Sequence, residues 1–343
     1  MRGHVMLLGL ALVGCESPQI AVDASVSSED AARDANAIDD ASAVDAHAHE
    51  DANRETAWSS GPALPVALQE ISAVTIDDRI WVVGGFEGTG EVSTVRVLDP
   101  IARAWSLGPP LPVARHHVQL ATLDGDLYVL GGMETTRFTN VDDAWVLRSG
   151  ADTWTEIAPL PEDRGAGFGA EIGGRLYIVG GQGRGGLSTS TLVYDPSTNE
   201  WTTAAPIPTR REHLAGFVYD GEIWAIGGRA LSLGSAMDVV EIYDPAANAW
   251  RTGPSLTGTH GGFAAAVVGD VAIAVGGETP ERALDLAEAI TLPDGAWRVI
   301  DPVPTPRHGH AMAAAAGRAW VIGGADAPIF AAVDAVESVR PID

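Results

Sequence analysis

The chain alternates short apolar runs with polar turns, and six of those runs end in the same way. They read RIWVVGG at 79–85, LYVLGG at 127–132, LYIVGG at 176–181, IWAIGG at 223–228, AIAVGG at 272–277 and AWVIGG at 319–324. Short runs rich in β-branched and aromatic residues, bounded by turn formers, predict strands, and no window carries the apolar period of a long amphipathic helix. Glycine weakens a strand interior, so a glycine pair at the end of each run marks backbone that must turn or be approached closely. Seven residues before each pair stands a two-residue turn: Asp77-Asp78, Asp124-Gly125, Gly173-Gly174, Asp220-Gly221, Gly269-Asp270 and Ala316-Gly317. Most of these suit a tight hairpin, joining an outgoing strand to the one that ends in Gly-Gly. Beyond the glycines, alternating runs such as VSTVRVLDP, TSTLVYDP and DVVEIYDP lead through another turn to a tryptophan. The predicted unit is four short antiparallel strands, a to d.

The unit recurs. Glycine pairs begin at 84, 131, 180, 227, 276 and 323, and tryptophans stand at 58, 105, 154, 201, 250 and 297, each 26 residues before the next pair. Spacings of 47 and 49 residues signal a solenoid, a propeller or an array. The markers Gly-Gly, Tyr/Asp-Pro and Trp, with PVARHHV and PTPRHGH opening strand a, resemble the kelch repeat over residues 57–343. The resemblance implies an all-β, six-bladed kelch-type β-propeller with four antiparallel strands per blade. The WD40 repeat fits less well, because its period is shorter and its Trp-Asp signature is missing. Trp58 precedes every glycine pair, while the last pair is followed by only one more strand, in VDAVESVRPID. The sixth blade is therefore expected to be closed by the N-terminal strand carrying Trp58, which removes the open edges of a linear array.

Charge narrows the partners. The chain has 46 acidic residues against 21 basic ones, all arginine, for a net charge of -25. No basic stripe interrupts the acidity, which argues against a nucleic-acid partner and reads as solubility. Residues 1–15 combine Arg2, an apolar run too short to span a bilayer, and Leu12-Val13-Gly14-Cys15. This end resembles the lipobox of bacterial lipoproteins, which implies lipid attachment at Cys15, the only cysteine. The expected setting is export and anchoring to the cell envelope through lipid alone; Glu16 after the cysteine points to the outer membrane of a diderm bacterium. Residues 16–56, rich in Ala, Asp and Ser with 11 acidic and 2 basic residues, read as a disordered tether. The HAHE stretch at 47–50 has metal-binding spacing without a closed ligand set.

Candidate chemistry follows from the period. Sixteen residues before the glycine pairs stand Leu68, Arg115, Arg164, Arg211, His260 and Arg307, which the family pattern places at the start of strand a in structural hydrogen bonds. Two positions later come Glu70, His117, Ala166, His213, Gly262 and Gly309, expected at the channel mouth. The residues after the pairs, Phe86, Met133, Gln182, Arg229, Glu278 and Ala325, should join them. The candidate ligand-binding set is Glu70, His117, His213, Gln182, Arg229 and Glu278. No residue is assigned to catalysis, and neither a cofactor nor a metal site is assigned. Copper radical oxidases share the propeller but need a cysteine cross-linked to tyrosine, which Cys15 cannot supply. His116, His117, His308 and His310 stand on different blades, at separations that spacing does not fix. The b–c loops are two residues longer in blades two, four and six, an alternation read as ancestry from a duplicated two-blade unit.

The leading functional expectation is a monomeric, membrane-tethered binding protein that recognises a protein or glycan at the channel mouth. The alternative is a carbohydrate enzyme similar to the kelch-fold epimerases and mutarotases of sialic acids, with Arg229 holding a carboxylate.

Overall fold

The computed structural model describes residues 58–341. The lipobox with Cys15 and the acidic tether lie outside the described residues. Six four-stranded antiparallel sheets follow one another along the chain. The first blade has strand a at Ser72–Ile76, b at Arg79–Val83, c at Val95–Asp99 and d at Ala104–Gly108. The sixth has Ala311–Ala315, Arg318–Ile322 and Val336–Val339, with Trp58–Ser60 as its outer strand. Trp58 lies opposite Val339, so the blade is closed by the N-terminal strand as its missing tryptophan required. The one helical segment among the described residues is a single 3-10 turn, Leu233–Ser235.

The local signals act as their chemistry dictates. At Asp77 and Asp78 the φ angles are 51° and 58°, the mirror-image turn that matches strand twist in a hairpin. Apolar strand faces pack between neighbouring blades: Phe217, Trp224 and Ile242 meet Phe263, Ala272 and Ile290, and Ile80 and Leu98 meet Trp320 and Ile322. Burying each such side chain contributes about 1.5–3 kcal/mol, which makes the blade interfaces the core. The repeated tryptophans lock those interfaces. Trp105 donates Nε1–H to the Pro62 carbonyl at 2.9 Å, Trp201 to Ala158 at 2.8 Å, Trp250 to Ala205 at 2.8 Å and Trp58 to Asp301 at 2.8 Å.

The glycine pairs form a second lock nearer the axis. In every blade the second glycine's amide donates to the carbonyl at the strand-a arginine position of the next blade. The series runs from Gly85 to Arg115 (2.9 Å) round to Gly324 and Leu68 (2.8 Å). The first glycine's carbonyl accepts from the arginine of its own blade: Arg164 to Gly180 at 2.8 Å, Arg211 to Gly227 at 2.6 Å and Arg307 to Gly323 at 3.0 Å. These guanidinium groups are fully buried, and Glu162, Glu241 and Glu337 pair with them. The arginine row is thus scaffold, and the ring it builds holds the next residues at the axis.

Candidate functional site

Two residues past the arginine row the chain takes the left-handed conformation in all six blades. The φ angles are 53° at Glu70, 52° at His117, 54° at Ala166, 49° at His213, 70° at Gly262 and 57° at Gly309. Backbone hydrogen bonds link them around the axis, from His117 to Glu70 (3.4 Å), Ala166 to His117 (3.1 Å), His213 to Ala166 (2.8 Å), Gly262 to His213 (3.1 Å) and Gly309 to Gly262 (2.8 Å). Glycine occupies two of these positions at no steric penalty. A side chain there costs roughly 1–2 kcal/mol, so Glu70, His117 and His213 are held against a local preference.

All six candidate residues line one cavity of about 330 Å³ at the mouth. Beneath it a channel of about 180 Å³ runs between small and apolar residues of the a strands. Glu70, His117 and His213 line both spaces and so stand at the neck. Phe86, Met133 and Ala325, expected to join the mouth, are fully buried and off its wall. Phe86 instead packs its ring on His116, centroids 4.3 Å apart, and edge-on against Phe330 at 5.2 Å. Three further polar residues line the cavity that the periodic reading passed over, Gln69, Glu212 and His308. Each sits one residue before a ring position, where strand alternation would turn it away. The left-handed residue that follows breaks the alternation and brings both neighbours to the mouth.

The polar groups form one network. Arg229 donates from Nε to Glu212 Oε1 at 2.8 Å and from Nη1 to Glu278 Oε1 at 2.5 Å. Glu212 also meets the Nδ1 of His213. His117 Nε2 is 3.0 Å from Glu70 Oε2 and 2.9 Å from His213 Nε2. Its Nδ1 is 2.5 Å from the Nδ1 of His116, whose Nε2 faces the Thr135 carbonyl at 3.1 Å. Burial, with the neighbouring His117, pushes His116 down to about 3, so this ring is neutral. Burial likewise pushes His213 well below the usual histidine range, and Arg229 adds to the effect. Burial alone would raise Glu70, but the His117 ring, then His308 and His213, hold its carboxyl well below the ordinary value. Three carboxylates against one guanidinium leave two negative charges to be met by protons on the histidines or by a bound cation. Spacing left His116, His117, His308 and His310 on different blades at separations it did not fix. The fold brings the ligand atoms of Glu70, His117 and His213 within 4.8 Å of one another, whereas His310 faces the channel below.

Above the polar pit stands an apolar rim. Phe138 is 41% exposed, Leu231 55%, Ile329 70% and Phe330 36%. They come from the b–c loops of blades two, four and six, the three that are longer by two residues. In blade two, strands Asp126–Glu134 and Thr139–Leu147 extend as a tall hairpin that lifts Phe138 over the mouth. In blade six, Gln69 holds the loop by donating to the Ile329 carbonyl at 2.7 Å and accepting from the Ala331 amide at 2.9 Å. The longer loops are thus the ones that carry the rim.

These features define a closed six-bladed propeller with a charged pit and an apolar rim at one channel mouth. A family model described as the KLHDC2/KLHL20/DRC7 kelch-repeats domain matches residues 110–277, and the kelch motif model matches residues 70–112. The chain therefore carries kelch repeats and folds as a kelch-type β-propeller. Among solved structures it is similar to YjhT, at 18% identity and a TM-score of 0.73, over 83% of this chain and 98% of that one. At that identity the likeness speaks for the fold alone. No curated protein matches the chain.

Proposed function

We propose that the protein is an exported, lipid-anchored binding protein whose propeller mouth receives a polypeptide segment. One observation carries this reading: large apolar side chains are exposed together around a polar pit. Apolar patches rimming a concavity on a folded protein mark interaction sites. A segment that lays apolar side chains on Phe138, Leu231, Ile329 and Phe330 can lower a basic or hydrogen-bond-donating group towards Glu70 and Glu278. Two aliphatic residues on the rim favour a polypeptide over a glycan, which would stack on aromatic faces. The sialic acid alternative relied on Arg229 to hold a carboxylate. That guanidinium enters the mouth already bound by Glu212 and Glu278, and the excess charge around it is negative.

The test has two arms. Palmitate labelling of the expressed chain should be lost in Cys15→Ser; labelling that persists would refute the anchor. The chain, immobilised, should retain a partner from envelope extract that Leu231→Asn with Ile329→Asn releases. Retention by the double variant at the parental level would refute the rim as the contact surface.

A further inference from the structure

Three side chains at the neck of the mouth offer lone pairs to one point. The Nε2 atoms of His117 and His213 are 2.9 Å apart, and Glu70 Oε2 lies 3.0 Å from His117 Nε2. The hydrogen bonds behind the two rings say where their protons are. Nδ1 of His213 meets a Glu212 carboxylate, which only accepts, so Nδ1 carries the proton and Nε2 is bare. Nε2 of His116 donates to the Thr135 carbonyl, which leaves His116 Nδ1 to accept from Nδ1 of His117. In the neutral ring, His117 Nε2 is then bare as well. Two bare nitrogens and a carboxylate oxygen in contact repel one another unless a cation stands among them.

A separate observation points to the same place. His308, 2% exposed, donates Nε2–H to the Ala327 carbonyl at 3.0 Å, and its Nδ1 has no hydrogen-bond partner. That nitrogen faces Glu70 Oε1 at 3.6 Å and Glu278 Oε2 at 3.5 Å. The remaining ring positions, Ala166, Gly262 and Gly309, are small and leave the space beside the three ligands open.

We propose that Glu70, His117 and His213 bind a divalent transition-metal ion of the zinc class, with its remaining coordination positions open to the mouth. Two imidazoles and one carboxylate are a donor set that suits zinc in sites keeping a position for an outside ligand. Glu212 behind His213 and His116 behind His117 are the outer hydrogen-bond partners that fix the ring orientation in such sites. The ion also offsets the excess negative charge of the pit. With metal–nitrogen bonds of about 2.0–2.1 Å in tetrahedral geometry, the two nitrogens must part to roughly 3.3 Å. That is a shift of a few tenths of an ångström. The site stands whether or not the rim receives a polypeptide, since it uses none of the rim residues.

The experiment uses the full chain carrying His47→Ala and His49→Ala, so that the HAHE stretch contributes nothing. After stripping with a chelator, zinc is titrated calorimetrically and cobalt(II) is followed by its visible ligand-field bands. The expected result is one ion per chain, with cobalt bands of a four- or five-coordinate site. Glu70→Gln and His213→Ala should each weaken zinc binding at least about tenfold, and Glu212→Gln by about tenfold through its hold on the His213 ring. Thermal melting of each metal-free variant checks that it is folded. Absence of a bound equivalent in the parent chain overturns the proposal and leaves a shared proton as the cation. Undiminished binding in the His117→Ala/His213→Ala double variant overturns it too. Should the ligand variants fail to fold, the cobalt spectrum of the parent chain decides: no ligand-field bands, no site.

Discussion

Trp58 pairs with Val339 across the seam of the ring, so the first described strand completes the last blade. The indole is 7% exposed and donates to the Asp301 carbonyl at 2.8 Å, which ties the seam to the fifth blade as well. Trp58→Ala should therefore cost about 3–5 kcal/mol, the usual toll of removing a large buried aromatic. Deleting residues 54–64 should unfold the ring, while deleting 20–50 should leave the melting temperature nearly unchanged. Calorimetric melting of the three variants checks this; an unaltered melting temperature in the 54–64 deletion would show that the seam is dispensable.

Two glycines with nearly the same backbone angle separate conformational freedom from close approach. Gly84 has φ +64°, and a Cβ there would stand 2.1 Å from the Arg115 carbonyl oxygen of the next blade; Gly88 has φ +60° with nothing within 4 Å. Gly88→Ala should cost only the left-handed penalty, roughly 1–2 kcal/mol. Gly84→Ala should cost clearly more, because the blade interface must also open. Denaturant titration of both proteins makes the comparison, and equal losses would refute the close-approach account of the glycine pairs.

The period was legible because its markers meet equivalent partners from blade to blade. Trp58, Trp105, Trp154, Trp201 and Trp250 reach a neighbouring blade's carbonyl, and Trp297 alone of the repeated tryptophans does not. The second glycines reach the next blade's strand-a start in all six blades. The same logic led to Glu70, His117 and His213, since all six ring positions share one backbone geometry. It failed for Gln69, Glu212 and His308, where the left-handed residue that follows reverses the side-chain alternation a strand would impose. It also failed for Phe138, Leu231 and Ile329. These sit in loops that differ in length and conformation between blades, so no period points to them.

Arg229 is a structural member of the mouth as much as a candidate contact. Its guanidinium is 11% exposed and bridges Glu212 and Glu278, which are 2% and 5% exposed. Removing it leaves two buried carboxylates without their shared partner, so Arg229→Ala should destabilise by about 3–5 kcal/mol. Arg229→Lys should recover only part, because one ammonium cannot reproduce the two-sided fork. Urea unfolding reads both; a loss below about 1 kcal/mol in Arg229→Ala would mean that water or protons already compensate the pair.

The fifth blade replaces the strand-a arginine with His260, whose buried Nε2 lies 3.3 Å from Glu288 Oε1. The amides of Thr257 and Gly258 donate to the same carboxylate at 2.8 and 2.7 Å. Burial alone would raise Glu288, but the His260 bond and then the Thr257 amide hold its carboxyl below the ordinary value. The unfolded chain therefore takes up this proton first as acid is added. The stability Glu288 contributes is fully present above about pH 4.3 and is lost as pH falls through the lower folded value. Glu288→Gln should thus be less stable than the parent near neutrality, with the gap narrowing below pH 4. A gap that stays constant from pH 7 to pH 3 in denaturant titrations would contradict the assignment.

The rim residues pay twice for their place. Leu231 and Ile329 have φ of 65° and 74°, and Phe138 has 54°, a conformation that apolar side chains avoid, above all β-branched ones. Leu231 and Ile329 are also more than half exposed, so neither the backbone nor burial accounts for them, whereas Phe138 packs edge-on against His116 and His117. Asparagine tolerates this conformation far better and is at home in water. Leu231→Asn and Ile329→Asn should therefore leave the melting temperature unchanged or raise it slightly, by the equivalent of about 0.5–1 kcal/mol at most. A residue choice that is worse for the fold than a simple alternative is intelligible if the mouth's occupant requires it. The same variants should accordingly lose partner retention while gaining or holding stability. If they instead melt several degrees lower, the rim is packing its own loops, and its claim as a contact surface falls.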